Sequence, residues 1–374
     1  TDTSCPEQRL MPTLTPLATA TLLLLCTTPM PCGARAATLP DESPAIVRPT
    51  SYDTMAALLA SIDGKGPIRV SVEAKTAQGR SIFLVHATHG GEAPFRVLFY
   101  AQQHGDEVAG KEALLFLLRD IATRPETLPA GIDLWILPML NPDGAEAGTR
   151  RNAANVDLNR DHIVQEQPET QALHRVARRV RPHLAVDCHE FERDGAKRAA
   201  RGVIAWPDIT VDGLNDPLFD PAVIAAAQHW VDTAEAALAT AGYRYARYTV
   251  GGVPPRDEQR HSAPDIDAGL NAIGMYGGLS FIIESAVRRD VPDPQADLAR
   301  RVDAYGVLLR RFLSDTSHRA TDVAAVDKAV EAFEEAGAGK GSRLDAETGA
   351  RLWRASLAVG GTRPATESFK AFRR

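Results

Sequence analysis

The chain has 374 residues, of which 44% are hydrophobic and 24% charged, with a formal net charge of −6. That balance is ordinary for a globular protein with room for one large domain or two small ones. It excludes the basic footprint of a nucleic-acid binder and the low hydrophobicity of a disordered chain.

The first predicted element is a leader. Leu17 to Cys26 is a ten-residue apolar run, too short to span a bilayer. It is followed by Ala34-Arg35-Ala36, a small-x-small cleavage pattern. A signal peptide cut before Ala37 is the expectation, with a mature protein in the periplasm or secreted. Neither Cys26 nor Cys32 follows the small residue that lipid attachment favours, so no membrane anchor is expected in the mature form. Of Cys5, Cys26, Cys32 and Cys188, only Cys188 would survive cleavage, and no intrachain disulfide could then form.

From Ile68 onward, β-rich runs alternate with helical periodicity. The strands are expected at Ile68–Val72, Ser81–Ala87, Val97–Ala101, Leu134–Leu140, Leu184–Cys188 and Leu279–Ile283. Helices are expected at Glu107–Ala122, Glu169–Val180, Pro221–Ala241 and Gln295–Leu313. This alternation predicts an α/β fold, a mixed and mostly parallel sheet sandwiched between helices. The domain reading is 1–36 leader, 37–313 catalytic domain and 314–374 a helical, partly flexible extension. In that extension Val323, Val326, Val330 and Phe333 form one apolar stripe, read as packing on the main domain.

Three His-x-x-Glu pairs occur: His89/Glu92, His104/Glu107 and His189/Glu192. Spacing cannot choose among them, but context can. His104 follows the strand ending at Ala101 and sits in a polar turn, and Glu107 opens the next helix. Ligands of open α/β sheets gather at such strand ends. A catalytic zinc uses three protein ligands and leaves one position open. His189, at the end of the run Leu184–Cys188, is the natural third ligand beside His104 and Glu107. His89 precedes two glycines in an expected hairpin tip, and its pair with Glu92 reads as solvated loop. His86 lies inside a strand with no carboxylate arranged nearby. His174 and His229 fall in helices and read as surface or core residues. Strand alternation turns Cys188 away from the face of His189, into the core.

The order of the motifs carries a resemblance. Gln102–Glu107 (QQHGDE), Leu140–Gly144 (LNPDG), Thr149–Asp161 (TRRNAANVDLNRD), Val186–Phe191 (VDCHEF) and Ser280–Ser285 (SFIIES) run in the order found in the zinc carboxypeptidases. That group includes pancreatic carboxypeptidase A and bacterial murein-peptide hydrolases. The resemblance implies one zinc ion per chain on His104, Glu107 and His189. The His₂Glu ligand set is an established property of that family. Arg150 resembles the arginine that stabilises the oxyanion, and Arg151 fits less well because the family places its arginine two residues before Asn152. Asn159 and Arg160 resemble the pair that grips the free α-carboxylate of the substrate. Glu284 resembles the catalytic glutamate, a general base toward a zinc-bound water.

Residue chemistry agrees with these roles. An exopeptidase must recognise a chain end, and arginine offers a planar bidentate donor for a carboxylate. A carboxylate following Ile282-Ile283 at a strand end has a purpose beside a metal, taking and returning a proton.

The sequence also departs from the family. Asp161 stands where Asn is common and would bring negative charge toward the carboxylate clamp. The mobile tyrosine of the pancreatic enzymes has no clear counterpart, Tyr248 and Tyr276 both being candidates. Asp265 and Asp267 read as loop residues, with a basic side-chain pocket as the alternative.

The expected function is thus a metallocarboxypeptidase acting on peptides with a free C-terminus or on peptidoglycan stem peptides. The alternatives are an amide deacylase resembling succinylglutamate desuccinylase, or an inactive domain that binds chain ends.

Overall fold

The computed structural model describes residues 48–91, 95–193, 207–217, 219–251, 259–261, 265–288, 291–315 and 327–328. The expected leader, Glu92, and nearly all of the expected C-terminal extension lie outside them. A compact unit starts at Thr38. Its elements are α1 (Tyr52–Ile62), β1 (Ile68–Lys75), β2 (Ser81–Thr88), β3 (Phe95–Ala101), α2 (Ala109–Thr123), β4 (Ile132–Leu137), α3 (Pro142–Ala147) and α4 (Pro168–Val180). There follow β5 (Leu184–Arg193), β6 (Ile209–Gly213), α5 (Pro221–Thr240), β7 (Tyr245–Arg247), β8 (Thr249–Gly251), β9 (Gln259–His261), α6 (Gly269–Gly274), β10 (Leu279–Arg288) and α7 (Pro294–Ser314). Among the described residues no helix is long and apolar enough to cross a membrane.

Eight strands form one sheet in the order β1-β2-β4-β3-β5-β10-β6-β7, and β8 pairs with β9 in a separate ribbon. The central pairs β4–β3, β3–β5 and β5–β10 are parallel, whereas β1–β2, β2–β4 and β10–β6 are antiparallel. The sheet is therefore mixed and mostly parallel at its centre, as expected. Alternate residues of β3 feed two cores. Val97, Phe99 and Ala101 join the side chains of α1, α2, α5 and α7, while Leu98 and Tyr100 join those of α4 and α6. Helices cover both faces, which is why the central strands are apolar on both sides.

Two expectations are corrected here. The segment after β2 is not a hairpin tip, because β4 lies between β2 and β3 in the sheet. His89 Nε2 instead reaches the carbonyl oxygens of Pro125 (3.0 Å) and Leu128 (3.1 Å). His86 does have a carboxylate beside it. Its Nε2 lies 2.5 Å from Asp133 Oδ1, and its ring stacks on Trp135 with centroids 3.8 Å apart. Asp133 is the neighbour of Trp135 on β4, the strand paired with β2, so sequence distance hid the partnership.

Strand lengths position the site. β3 stops at Ala101, opposite Cys188 of β5, but β5 runs on to Arg193 and β10 to Arg288. His189 and Glu284 are thus interior strand residues rather than strand ends. From His189 onward β5 has lost its β3 neighbour. The resulting notch at the carboxyl end of the parallel strands is filled by the turn after β3.

Candidate active site

Residues 102–108 form that turn. Glu107 does not open a helix, because α2 begins at Ala109 with Val108 as its N-cap. Freed from helical geometry, the Glu107 side chain folds back on His104, with Oε1 2.7 Å from His104 Nδ1. Gln102 adopts a left-handed backbone at φ 57°, unusual for a side chain of its size, and its amide donates to the Gly105 carbonyl at 2.8 Å. Gly105 is required by close approach, since a Cβ there would lie 2.1 Å from the Gly144 carbonyl carbon.

The motif around Asn141 is scaffolding. Asn141 caps α3 through Gly144 N (2.9 Å) and donates to the Gln103 carbonyl (3.1 Å), tying two motif segments together. Asn152 likewise accepts from the amides of Ala154 and Val156.

His104, Glu107 and His189 converge as expected. They form a buried group able to hold a metal ion, their donor atoms all within 4.8 Å of one another. His189 Nδ1 lies 2.8 Å from Glu107 Oε2 and 3.1 Å from His104 Nδ1. His104 Nε2 stands 3.1 Å from Asp157 Oδ1, and His189 Nε2 3.0 Å from Asp187 Oδ2. Carboxylates thus face both nitrogens of each ring, and a cation held between Glu107 and the two Nδ1 atoms would send both protons to Nε2, toward Asp157 and Asp187. Two lone pairs and a carboxylate oxygen gathered this way fit a cation. Their spacing is close to the about 3.3 Å expected for two nitrogens on a tetrahedral zinc. The donor set fits one zinc ion. Burial by itself would raise the Glu107 carboxyl, but the imidazoles of His104 and His189 outweigh it and hold the group at about 2.

The protein braces this set from behind. Glu107 Oε2 accepts from Glu190 N (3.0 Å), and Glu190 Oε2 accepts from Ala109 N (3.1 Å). Glu190 is in turn bonded by Ser285 and by Arg301 of α7. Tyr305 donates to the carbonyls of His189 and Ile283.

Glu284 is buried and stands level with His189 in the β5–β10 register. Burial and the neighbouring Glu107 push its carboxyl up to about 7, against the imidazoles and a hydrogen bond from Tyr248. That bond selects Tyr248 as the tyrosine beside Glu284. Tyr276 points elsewhere, with its hydroxyl 2.7 Å from His174 Nδ1.

Arg150 lines the cluster. Its Nε is 3.0 Å from Asp157 Oδ2 and its Nη1 3.4 Å from Glu107 Oε1. Arg151 turns away to the carbonyl of Asn155. Burial alone would raise Asp157, but its bonds from His104 and Arg150 hold it below the usual carboxylate range. Arg160 is exposed, and its Nη1 donates to the Asn159 carbonyl at 2.5 Å. Asn159 is buried, its Oδ1 taken by Gly269 N at 2.7 Å. Asp161 is satisfied by the amides of Glu166 (3.1 Å) and Gln167 (2.9 Å), so its charge braces a loop. Asp265 is exposed, whereas Asp267 is half-buried within electrostatic reach of Arg160.

The sequence reading overlooked Asp157, Asp187, Gln103 and Glu190. One signal was available. Strand alternation, which sends Cys188 to the other face, also puts Asp187 on the face of His189.

Residues 55–192 match the family model described as zinc carboxypeptidase. Carboxypeptidase 2 of Trichophyton tonsurans is 28% identical over 196 residues, which cover 51% of this chain and 36% of that protein. The chain thus spans about a third of the length of that curated relative. A metallo-carboxypeptidase from Pseudomonas aeruginosa, solved with (2-guanidinoethylmercapto)succinic acid, superposes with a TM-score of 0.57 at 23% identity. The match covers 74% of this chain and 70% of that one. Carboxypeptidase A from Helicoverpa armigera superposes with a TM-score of 0.52 at 15% identity, covering 75% of both chains. At these identities the two structures speak for the fold, while the family model and the shared sequence speak for descent. Over residues 55–192 the chain is thus similar to the zinc carboxypeptidases, and its fold is similar to theirs.

Proposed function

We propose that the protein is a zinc-dependent metallocarboxypeptidase that hydrolyses the C-terminal peptide bond of peptides or peptidoglycan stem peptides. The observation that carries this reading is the level pairing of Glu284 with the ligand His189 across β5 and β10. A buried carboxylate whose affinity for protons is raised, beside a metal-ligand cluster, is suited to general acid–base work near neutral pH. An inactive chain-end binder would have no use for it.

When bound by His104, Glu107 and His189, zinc supplies Lewis-acid chemistry, polarising the scissile carbonyl and acidifying water. Glu284 accepts the proton of the attacking water on its carboxylate and returns it to the leaving amine. Tyr248, hydrogen-bonded to Glu284, orients that carboxylate. The Arg150 guanidinium, anchored by Asp157, is placed to stabilise the developing oxyanion. Exposed Arg160 grips the substrate's α-carboxylate, and buried Asn159 fixes the wall behind it. Asp267 beside Arg160 supports a preference for a basic or diaminopimelate-like terminal residue. Export to the periplasm or medium after cleavage before Ala37 would place the enzyme with such substrates.

The test is a peptide library carrying free or amidated C-termini, read by mass spectrometry of the trimmed ends. Trimming of the free ends alone is expected. Arg160→Ala should raise KM for free ends far more than for any residual turnover of amides. Equal trimming of both sets by the unaltered enzyme would overturn the exopeptidase reading.

A further inference from the structure

Behind the metal ligands lies a buried polar chain that the reaction described above does not use. It runs from Tyr276 Oη to His174 Nδ1 (2.7 Å), from His174 Nε2 to His162 Nδ1 (3.0 Å), and from His162 Nε2 to Gln103 Oε1 (2.8 Å). It continues from Gln103 Nε2 to Asp187 Oδ2 (2.8 Å), the oxygen that also faces His189 Nε2 at 3.0 Å. Gln103, His162, His174 and Asp187 are all buried.

The sense of every link is forced from one end. Asp187 only accepts, so Gln103 must turn its NH₂ toward it and its carbonyl toward His162. That carbonyl only accepts, so His162 carries its proton on Nε2 and offers a lone pair at Nδ1. His174 must then donate from Nε2, which leaves its Nδ1 to accept from the Tyr276 hydroxyl. Reversing any one link would set two donors or two acceptors against each other. Buried mismatches of that kind cost on the order of 1–3 kcal/mol each.

Both histidines are neutral at neutral pH, as this pattern needs. Burial, with the neighbouring imidazole, pushes His162 well below its ordinary value, and burial brings His174 down to about 4. Nor can the space around Asp187 be relaxed freely. A Cβ on Gly269 would lie 2.6 Å from Asp187 Oδ2 and 3.0 Å from Gln103 Nε2.

We infer that His162 is a positioning residue for the metal centre: its Nε2–H locks the Gln103 amide so that Asp187 holds the proton of His189 on Nε2 and leaves Nδ1 free for the metal. Without that donor the Gln103 carbonyl oxygen is left buried without a partner, and the amide loses the bond that holds its N–H against Asp187. The Asp187 carboxylate then loses a donor, and the grip on His189 slackens. His174 and Tyr276 act one and two steps further out, holding His162 in the required tautomer. The inference rests on the zinc centre proposed above but not on the substrate.

The experiment has two arms on the full mature protein. The first reads the histidine tautomers of the zinc-loaded, unsubstituted protein by ¹⁵N NMR. His162, His174 and His189 should all be Nε2–H forms, and a Nδ1–H form at His162 would overturn the inference without any variant. The second measures zinc affinity by competition with a chelator. His162→Leu should bind zinc more weakly by up to about 10-fold, the lower end of the range for a ligand's direct outer partner, because His162 acts through Gln103 and Asp187. His162→Gln, which can still place an N–H on Gln103 Oε1, should recover most of that loss. Equal affinity in His162→Leu and the unsubstituted protein would overturn the inference. Equal losses in His162→Leu and His162→Gln would do so too, because packing rather than the donor would then be responsible. If the unsubstituted protein bound no zinc, the metal centre itself would fall, a result separable from any failure of the relay.

Discussion

Glu284 and His189 face each other as register partners in the parallel pairing of β10 with β5. Neighbouring strands lie about 4.8 Å apart, and register partners share a face of the sheet. A slip of one residue would turn Glu284 into the opposite core. Glu284 is therefore fixed relative to His189 by backbone hydrogen bonds rather than by a mobile loop.

Glu284→Gln tests the acid–base role. The amide is nearly isosteric and is not a ligand, so fold and zinc content should be kept. Turnover should fall by about 10²–10⁴-fold, the range for a lost general acid–base group. Steady-state kinetics with zinc measured on the same samples decides it. A variant holding zinc and turning over at the normal rate would remove Glu284 from the mechanism.

The ligand set predicts metal content. Elemental analysis of the dialysed protein should find about one zinc per chain. His104→Ala and His189→Ala should lose it, whereas His86→Ala and His89→Ala should keep it. The last two remove an imidazole that already has its partner in Asp133 or in two carbonyls. Retention of zinc by His104→Ala would break the assignment.

A pH profile tests Tyr248. Burial pushes the Glu284 carboxyl up to about 7, and the hydrogen bond from Tyr248 opposes the rise. In the proposed mechanism the ionised form is the base, so kcat/KM should fall as pH drops through the folded value of Glu284. Tyr248→Phe removes the opposing bond and should move that acid limb to higher pH. Identical limbs in both proteins would show that Tyr248 does not act on Glu284.

Away from the site, Asp208 predicts acid sensitivity. Buried Asp208, just before β6, pairs with Arg244 (2.8 Å) just before β7, with Arg300 (3.0 Å) of α7 and with Arg288 of β10. Burial would raise its carboxyl, but the hydrogen bonds from Arg244 and Arg300 hold it below the ordinary value. A depressed folded value means that its stabilisation is present above the unfolded value of about 3.9 and is lost as pH falls through the folded one. Asp208→Asn should cost about 1 kcal/mol near pH 7, a cost reduced by solvent screening because Arg244 and Arg300 are about half exposed, with the gap closing toward low pH. Urea titrations across pH check this, and a gap independent of pH would refute it.

The sequence by itself determined the periodic elements and the ordered motifs. Apolar strands and helical stripes are local patterns of period 2 and 3.6, so β1–β4, α2, α4, α5 and α7 were legible to within a few residues, while β5 and β10 were legible only in their first halves. The triad His104, Glu107 and His189 was legible because two members share a turn and the third ends an apolar run. Tertiary structure alone decided the partners. β6, with only five residues, and the one-and-a-half-turn α3 and α6 carry too few residues for a period to show. That β3 stops where β5 continues, opening the notch, is a matter of pairing and not of composition. The choice of Tyr248 over Tyr276, and the relay from Tyr276 to Asp187, depend on contacts between segments up to about a hundred residues apart. No local pattern encodes such contacts. They arise when the sheet order brings β3, β5 and α4 together, and hydrogen-bond direction then settles the role of each polar group.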